Sequence, residues 1–225
     1  MRHLLLLCLL ALCLALPATA GANGLVLRGV GSPPLSDAAA AALVDRSTWE
    51  PRPDNASANG REPTQGELND FRNRSDMPNK GWVTGHFHGT TDEITQWAAY
   101  KWGFSPNLLR AVAAVESWWH MSTVGDGGDS FGLMQIRRPY HCCYPLTADS
   151  TAFNADYYGA ILRAYYDGEE GFLNQVEHGQ TYRAGDLWGS IGVWASGRWH
   201  LGSSDSYVAQ VRDDLRHRVW FDRWF

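Results

Sequence analysis

The stretch VESWWHMSTVGDGGDSFGLMQI, residues 115–136, places one carboxylate, Glu116, at the end of an apolar run and one amide, Gln135, inside another. Glu116 follows Val112 by four residues and Leu109 by seven, so in a helix the three share a face. A carboxyl group on the apolar side of a helix loses hydration. Desolvation disfavours the charged form and raises the pKa. A carboxylic acid in that state keeps its proton near neutrality and serves as a general acid. The competing assignment is a helix-terminal glutamate paired with an arginine at the surface. Downstream, Gly125, Gly127 and Gly128 permit a tight loop, and Gly132 precedes the apolar segment. Gln135, between Met134 and Ile136, either bonds its own backbone neighbours or offers its amide to a ligand's hydroxyl or N-acetyl groups. Asp126 and Asp129 suit the turns of such a loop.

Other chemistry-bearing residues are sparse. His86 and His88 stand in GHFHG, but no His-x-x-x-His pair falls on a helix, and Glu-Ser-Trp-Trp-His is not that motif. Neither a metal nor a cofactor is expected. Cys142 and Cys143 are adjacent in PYHCCYP, and either two buried thiols or a vicinal bridge fits. Of Trp118 and Trp119, one is expected in the core and the other at a cleft. Tyr140 and His141 border a ligand subsite or serve turn packing, and Trp199 is as much a packing residue as a site residue.

Glu116-Ser117 followed by Gly132-Leu133-Met134-Gln135-Ile136, with Tyr207-Val208-Ala209-Gln210-Val211 later, resembles the catalytic domain of soluble-type lytic transglycosylases. These are relatives of goose-type lysozyme with a helical, lysozyme-like fold. The resemblance covers roughly residues 90–215. It implies Glu116 as the single acid and base, and Ser117, Asp126, Ser130, Met134, Gln135, Trp194 and Tyr207 as substrate-binding residues. It also implies peptidoglycan glycan strands as partner and 1,6-anhydro-muramyl products. The chain departs from the family at Val193-Trp194-Ala195-Ser196-Gly197, where Ala-Tyr-Asn-Ala-Gly is usual. Its Asn-x-x-x-Gly motif fits Asn154 and Gly159 one residue out of step. A hydrolytic lysozyme is the nearest alternative, with Asp126 holding water. The second aspartate of such enzymes is replaced here by Arg137. A glycan-binding protein without catalysis is the remaining alternative.

Several helices must position these groups. SDAAAAALVD, residues 36–45, reads as a short helix capped by Ser36 or Asp37. Residues 46–85 hold four prolines and little apolar periodicity, so residues 21–88 are expected to form an irregular arm or linker with one short helix. TTDEITQWAAYKWG carries a capping box at Thr90 and Glu93 and stops at Gly103. SPNLLRAVAAVESWW follows, with Ser105 at the cap, Pro106 at the first helical position, and Leu108, Val112 and Val115 as its apolar stripe. In NADYYGAILRAYYDG, Tyr158, Ile161, Leu162 and Tyr165 share one face. DLWGSIGVWASG aligns Leu187, Ile191 and Trp194. SSDSYVAQVRDDLRHRVW opens on a Ser/Asp cap and repeats apolar residues at Val208, Val211, Leu215 and Val219. No alternating strand pattern is evident. The fold class predicted is mainly α, with a lysozyme-like catalytic domain over residues 89–225.

The opening MRHLLLLCLLALCLALPATA predicts a cleaved signal peptide over residues 1–20, with cleavage near Ala20 and a secreted or periplasmic product. Its apolar run, Leu4 to Leu16, is 13 residues, below the roughly 20 a membrane-spanning helix needs, so no integral membrane segment is expected in the mature chain. The whole chain has 19 Lys and Arg against 24 Asp and Glu; losing Arg2 leaves 18 against 24, a net −6. Only two of the cations are lysines, Lys80 and Lys101. An acidic chain without a basic cluster argues against nucleic acid. Eleven tryptophans are enough to supply both a core and flat faces for sugar rings. A monomer is expected.

Overall fold

Thr90 opens the helix around which the rest assembles. Its hydroxyl accepts from the Glu93 N–H, and the Glu93 carboxylate accepts from the Thr90 N–H, closing the expected capping box. The computed structural model describes residues 24–179 and 182–225 of the 225-residue chain. The expected signal peptide lies outside them. Nine α-helices and three two-residue strands occur among the described residues, so the protein is mainly α. No helix among the described residues is long and apolar enough to cross a membrane.

The helices are α1 (Asp37–Ala41), α2 (Ala56–Asn59), α3 (Gln65–Arg74), α4 (Thr91–Trp102), α5 (Pro106–Ser117), α6 (Leu146–Asp149), α7 (Thr151–Asp167), α8 (Leu187–Ser196) and α9 (Ser203–His217). α4 lies along α7, α5 packs on both α4 and α9, and α8 packs on α9 and α7. Their shared core holds Trp97, Trp102, Leu108, Val112, Phe153, Ile191 and Val211, all fully buried. Gly103 and Gly168 end α4 and α7 in the left-handed conformation. α9 differs from expectation in its cap. Gly202 occupies the N-cap without a side-chain bond, while Ser204 accepts from the Leu201 N–H just ahead of the helix.

The arm expected to be irregular carries two further helices, α2 and α3, beyond the one foreseen. α3 begins with a complete capping box between Thr64 and Glu67. Proline punctuation hid it, because Leu68 and Phe71 are its only buried side chains and give no sustained period. Nor is this segment a detachable linker. Leu68, Phe71, Val83 and Phe87 are buried in the common core, and Phe71 meets Phe153 edge to face at 5.3 Å. Asp156 of α7, fully buried, binds the segment to the bundle. It accepts from Thr84 N–H (2.8 Å), Gly85 N–H (3.0 Å), the Trp102 indole (2.7 Å) and Lys101 Nζ (2.7 Å). A buried carboxylate needs this many donors to offset its lost hydration.

The loop after α5 forms a small antiparallel sheet of β1 (Val124–Gly125), β2 (Ser130–Phe131) and β3 (Ile136–Arg137). Val124 pairs with Phe131, and Phe131 with Ile136. Strands of two residues are too short to show alternation, which is why none was legible.

Candidate active site

α5 delivers Glu116 to the floor of a cleft of about 920 Å³. One wall is the β1–β3 loop, with Asp126, Ser130, Gln135 and Arg137. α8 and α9 supply Trp194 and Tyr207, and α7 supplies Tyr157, Ile161 and Tyr165. Asp76, Met77 and Pro78 from the N-terminal segment and Glu170, Phe172, Glu177 and His178 after α7 close the far end.

Glu116 is partly open to the cleft and surrounded by protein elsewhere. Among the described residues it makes no ion pair, so the competing surface-arginine assignment fails. Its partner is the Tyr207 phenol, which donates to Oε1. Burial pushes its pKa up to about 7, against the opposing effects of the Tyr207 hydrogen bond and the nearby Trp194 indole N–H; the charge of Asp126 adds to the rise.

The turn after Glu116 is built under backbone strain. Trp118 and Trp119 both adopt positive φ, 51° and 64°, a conformation bulky residues rarely hold. Two side chains of the N-terminal segment clamp it. Arg52 Nε donates to Trp118 O (2.6 Å) and Asn55 Nδ2 to Trp119 O (2.7 Å). Trp119 is in the core, as one of the pair was expected to be. Trp118 does not line the cleft; it is exposed and meets Phe225 at 5.3 Å.

Beyond the sheet, Gly132 has φ 76°, and a Cβ there would stand 2.5 Å from Asn154 Nδ2 and 2.9 Å from Thr147 O. Only glycine fits. Asn154 of α7 uses its whole amide on this loop, donating to Phe131 O (3.0 Å) and Thr147 O (2.7 Å) and accepting from Met134 N–H (2.8 Å). Gln135, at φ 50°, donates both amide hydrogens to backbone, to Gly132 O (2.8 Å) and Thr123 O (3.1 Å). Its carbonyl oxygen lies against Gly125, where a Cβ would stand 2.4 Å from it.

Of the expected binding residues, Asp126, Ser130, Gln135, Trp194 and Tyr207 line the cleft with Glu116, and two do not. Ser117 is buried and donates to Leu133 O (2.8 Å), tying the end of α5 to the loop. Met134 is a core side chain with no surface. Asp126 is exposed at φ 50°, accepts from Ser130 Oγ (2.5 Å), and pairs with Arg137 Nε at 3.6 Å.

His141 stacks on Trp194 with ring centres 5.3 Å apart. Burial holds its pKa down at about 4, so the stack presents an uncharged flat edge to the cleft at neutral pH. Next to it, Cys142 and Cys143 form a disulfide, which decides between the two states the sequence left open. Trp199 is buried against Gly189 and takes no part in the cleft. His86 and His88 both point outward, and no group of three potential metal ligands assembles among the described residues.

Sequence reasoning missed the far wall. Asp76, Glu170, Phe172 and Glu177 sit in turn-rich stretches without a motif, and nothing in their spacing signals a cleft. Tyr158 was read only as part of the α7 stripe, although its ring packs edge-on against Trp194 at 5.0 Å. No protein-family model, curated protein or solved structure matches the chain.

Proposed function

We propose that the protein is a lytic transglycosylase that cleaves the β-1,4 bond between N-acetylmuramic acid and N-acetylglucosamine in peptidoglycan. The observation that carries this reading is Glu116 on the cleft floor, without an ion pair among the described residues and bonded to one phenol. At neutral pH such a carboxyl group is divided between its two protonation states, as an acid that must also act as base requires. The aromatic lining, Trp194 with His141 and Tyr165, offers flat faces to sugar rings.

In the first half-reaction Glu116 gives its proton to the glycosidic oxygen as the bond to the muramyl C1 breaks. The substrate's own N-acetyl group stabilises the developing positive centre, so no second protein carboxylate is needed. Glu116, now anionic, takes the proton of the muramyl 6-hydroxyl while that oxygen closes on C1. One C–O bond is broken and one formed, Glu116 regains its proton, and no water is consumed. Asp126, the residue that would hold a hydrolytic water, is engaged by Ser130 and Arg137.

Digestion of purified peptidoglycan followed by mass spectrometry of the muropeptides tests the reading. Anhydro-muramyl ends are expected from the natural protein and none from Glu116→Gln. Reducing muramic acid ends would make it a hydrolase. Wall binding retained by both proteins without any cleavage would make it a binding protein.

A further inference from the structure

A second cavity, of about 350 Å³, opens beside the cleft. The two share Asp76, Tyr140, His141 and Tyr157, so the smaller one branches from the larger where His141 stacks on Trp194. Arg74, at the end of α3, and Arg138, Cys142 and Tyr144, in the loop after β3, form much of its remaining wall. Two of its aromatic residues are open to solvent, Tyr140 at 72% and Tyr144 at 48% exposure. They are not loose. Tyr140 N–H and His141 N–H both donate to Arg137 O at 3.0 Å, and Tyr144 packs on Phe131 with ring centres 4.7 Å apart. The Cys142–Cys143 bridge belongs to the same device. A disulfide stabilises a fold chiefly through the length of chain it closes, and one between sequence neighbours closes almost none. Its effect is confined to the stretch that carries Tyr140, His141 and Tyr144. Exposed aromatic faces held in place in this way bind a ligand without a cost of ordering them.

The charges on the wall define what fits. Arg74 and Arg138 bring guanidinium groups, and Asp76 brings an exposed carboxylate. Among the described residues each arginine commits one N–H to a carboxylate, Arg74 to Asp70 (2.8 Å) and Arg138 to Asp129 (2.7 Å). Both arginine side chains are about half exposed, and ion pairs of that kind hold weakly, so most of their N–H donors stay available. We propose that this cavity binds the peptide branch of a peptidoglycan strand. Carboxylates of the branch meet Arg74 and Arg138, its side-chain ammonium meets Asp76, and its aliphatic groups lie on Tyr140 and Tyr144. A glycan whose muramyl units carry peptides requires such a fork, with sugars in the cleft over Glu116 and the peptide in the side cavity.

This rests on the reading of the cleft as a peptidoglycan site, but the test reads peptide binding and not glycan cleavage. The probe is the free tripeptide N-acetyl-alanyl-γ-glutamyl-lysine, whose acetyl cap stands in for the amide to the sugar. It is titrated into the ¹⁵N-labelled protein and followed by NMR. Amide shifts are expected at Tyr140, His141 and Tyr144. The Kd is expected to rise about tenfold in Arg138→Ala and in Arg74→Ala, the loss of one charge-assisted contact in each. Should Arg138→Ala fail to fold, Arg74→Ala decides, since Arg74 is exposed in the last turn of α3 and touches no core. No shifts, shifts confined to other residues, or an unchanged Kd in the folded variants overturn the proposal. Anhydro products from peptidoglycan without tripeptide binding would sink this inference alone. Tripeptide binding with the expected shifts in a protein that cleaves nothing would sink the transglycosylase reading alone.

Discussion

Tyr207 and Glu116, on α9 and the end of α5, share a hydrogen bond in which the phenol donates to the carboxyl Oε1. The bond works against burial. Burial favours the neutral acid, while a donor on Oε1 favours the anion, and the balance leaves the pKa at about 7. Tyr207→Phe removes the donor and leaves the desolvation. Glu116 is then expected to hold its proton more tightly, which impairs its donation to the glycosidic oxygen. The alkaline limb of the pH–activity profile should move upward, and the maximal rate should fall about tenfold, or about 1.4 kcal/mol in the barrier. An unchanged profile would mean that the phenol does not tune the acid.

The same carboxyl makes stability depend on pH in a definite direction. Its folded pKa, about 7, lies above the ordinary value of 4.5. Between these values the native state binds more protons than the unfolded chain, so stability falls as pH rises from 4.5 to 7 and is level beyond. The loss is at most about 3 kcal/mol, since one pKa unit is worth about 1.4 kcal/mol and the group is partly open to the cleft. His141, with its pKa lowered to about 4, works in the other sense: its contribution is lost as pH falls below 6.5. That effect is common to the natural protein and to Glu116→Gln, and so cancels in their difference. Thermal melts of the two across pH are expected to diverge in favour of the variant from pH 4.5 upward and to run parallel above 7. Parallel curves throughout would show Glu116 to be well hydrated.

How much of this was legible follows from where each signal is stored. Local rules gave the capping box at Thr90, Pro106 at the start of α5, and the stops at Gly103 and Gly168, because each lies within one turn of the helix it serves. The phase of Glu116 relative to Leu109 and Val112 was equally local. The partners of Glu116 were less so. Tyr207 entered through its resemblance to a motif, and Trp194 through its departure from one, since which side chains reach a carboxyl is decided only in three dimensions. Ser117 and Met134 stand inside the same motif as Glu116 and Gln135, yet they face the protein interior. Adjacency in a motif does not specify which neighbours reach a ligand. Least legible was the N-terminal segment, whose buried residues mix polar ones, such as Arg52 and Asn55, with scattered apolar ones, such as Phe71 and Val83, and carry no hydrophobic period.

Asn55 shows what that segment contributes. It is buried, and its amide joins three pieces of the molecule. Nδ2 donates to Trp119 O (2.7 Å) and to Thr91 Oγ1 (3.0 Å), and Oδ1 accepts from Met121 N–H (2.8 Å). Two of these partners lie in the turn that follows Glu116, where Trp118 and Trp119 hold positive φ. Strained backbone persists only where its surroundings over-determine it. Asn55→Ala leaves the Trp119 carbonyl and the Met121 N–H buried without partners, at a cost of about 1–3 kcal/mol for each unsatisfied group. A total loss of about 3 kcal/mol is expected in chemical denaturation. Activity should fall further than stability explains, because the relaxed turn no longer fixes the end of α5 and the carboxyl it carries. Asn55→Asp retains an acceptor for Met121 and loses the donors to Trp119 and Thr91, so it should recover only part of either quantity. If Asn55→Ala instead melts and acts like the natural protein, the turn is held by Arg52 and local packing, and the segment is not what positions Glu116.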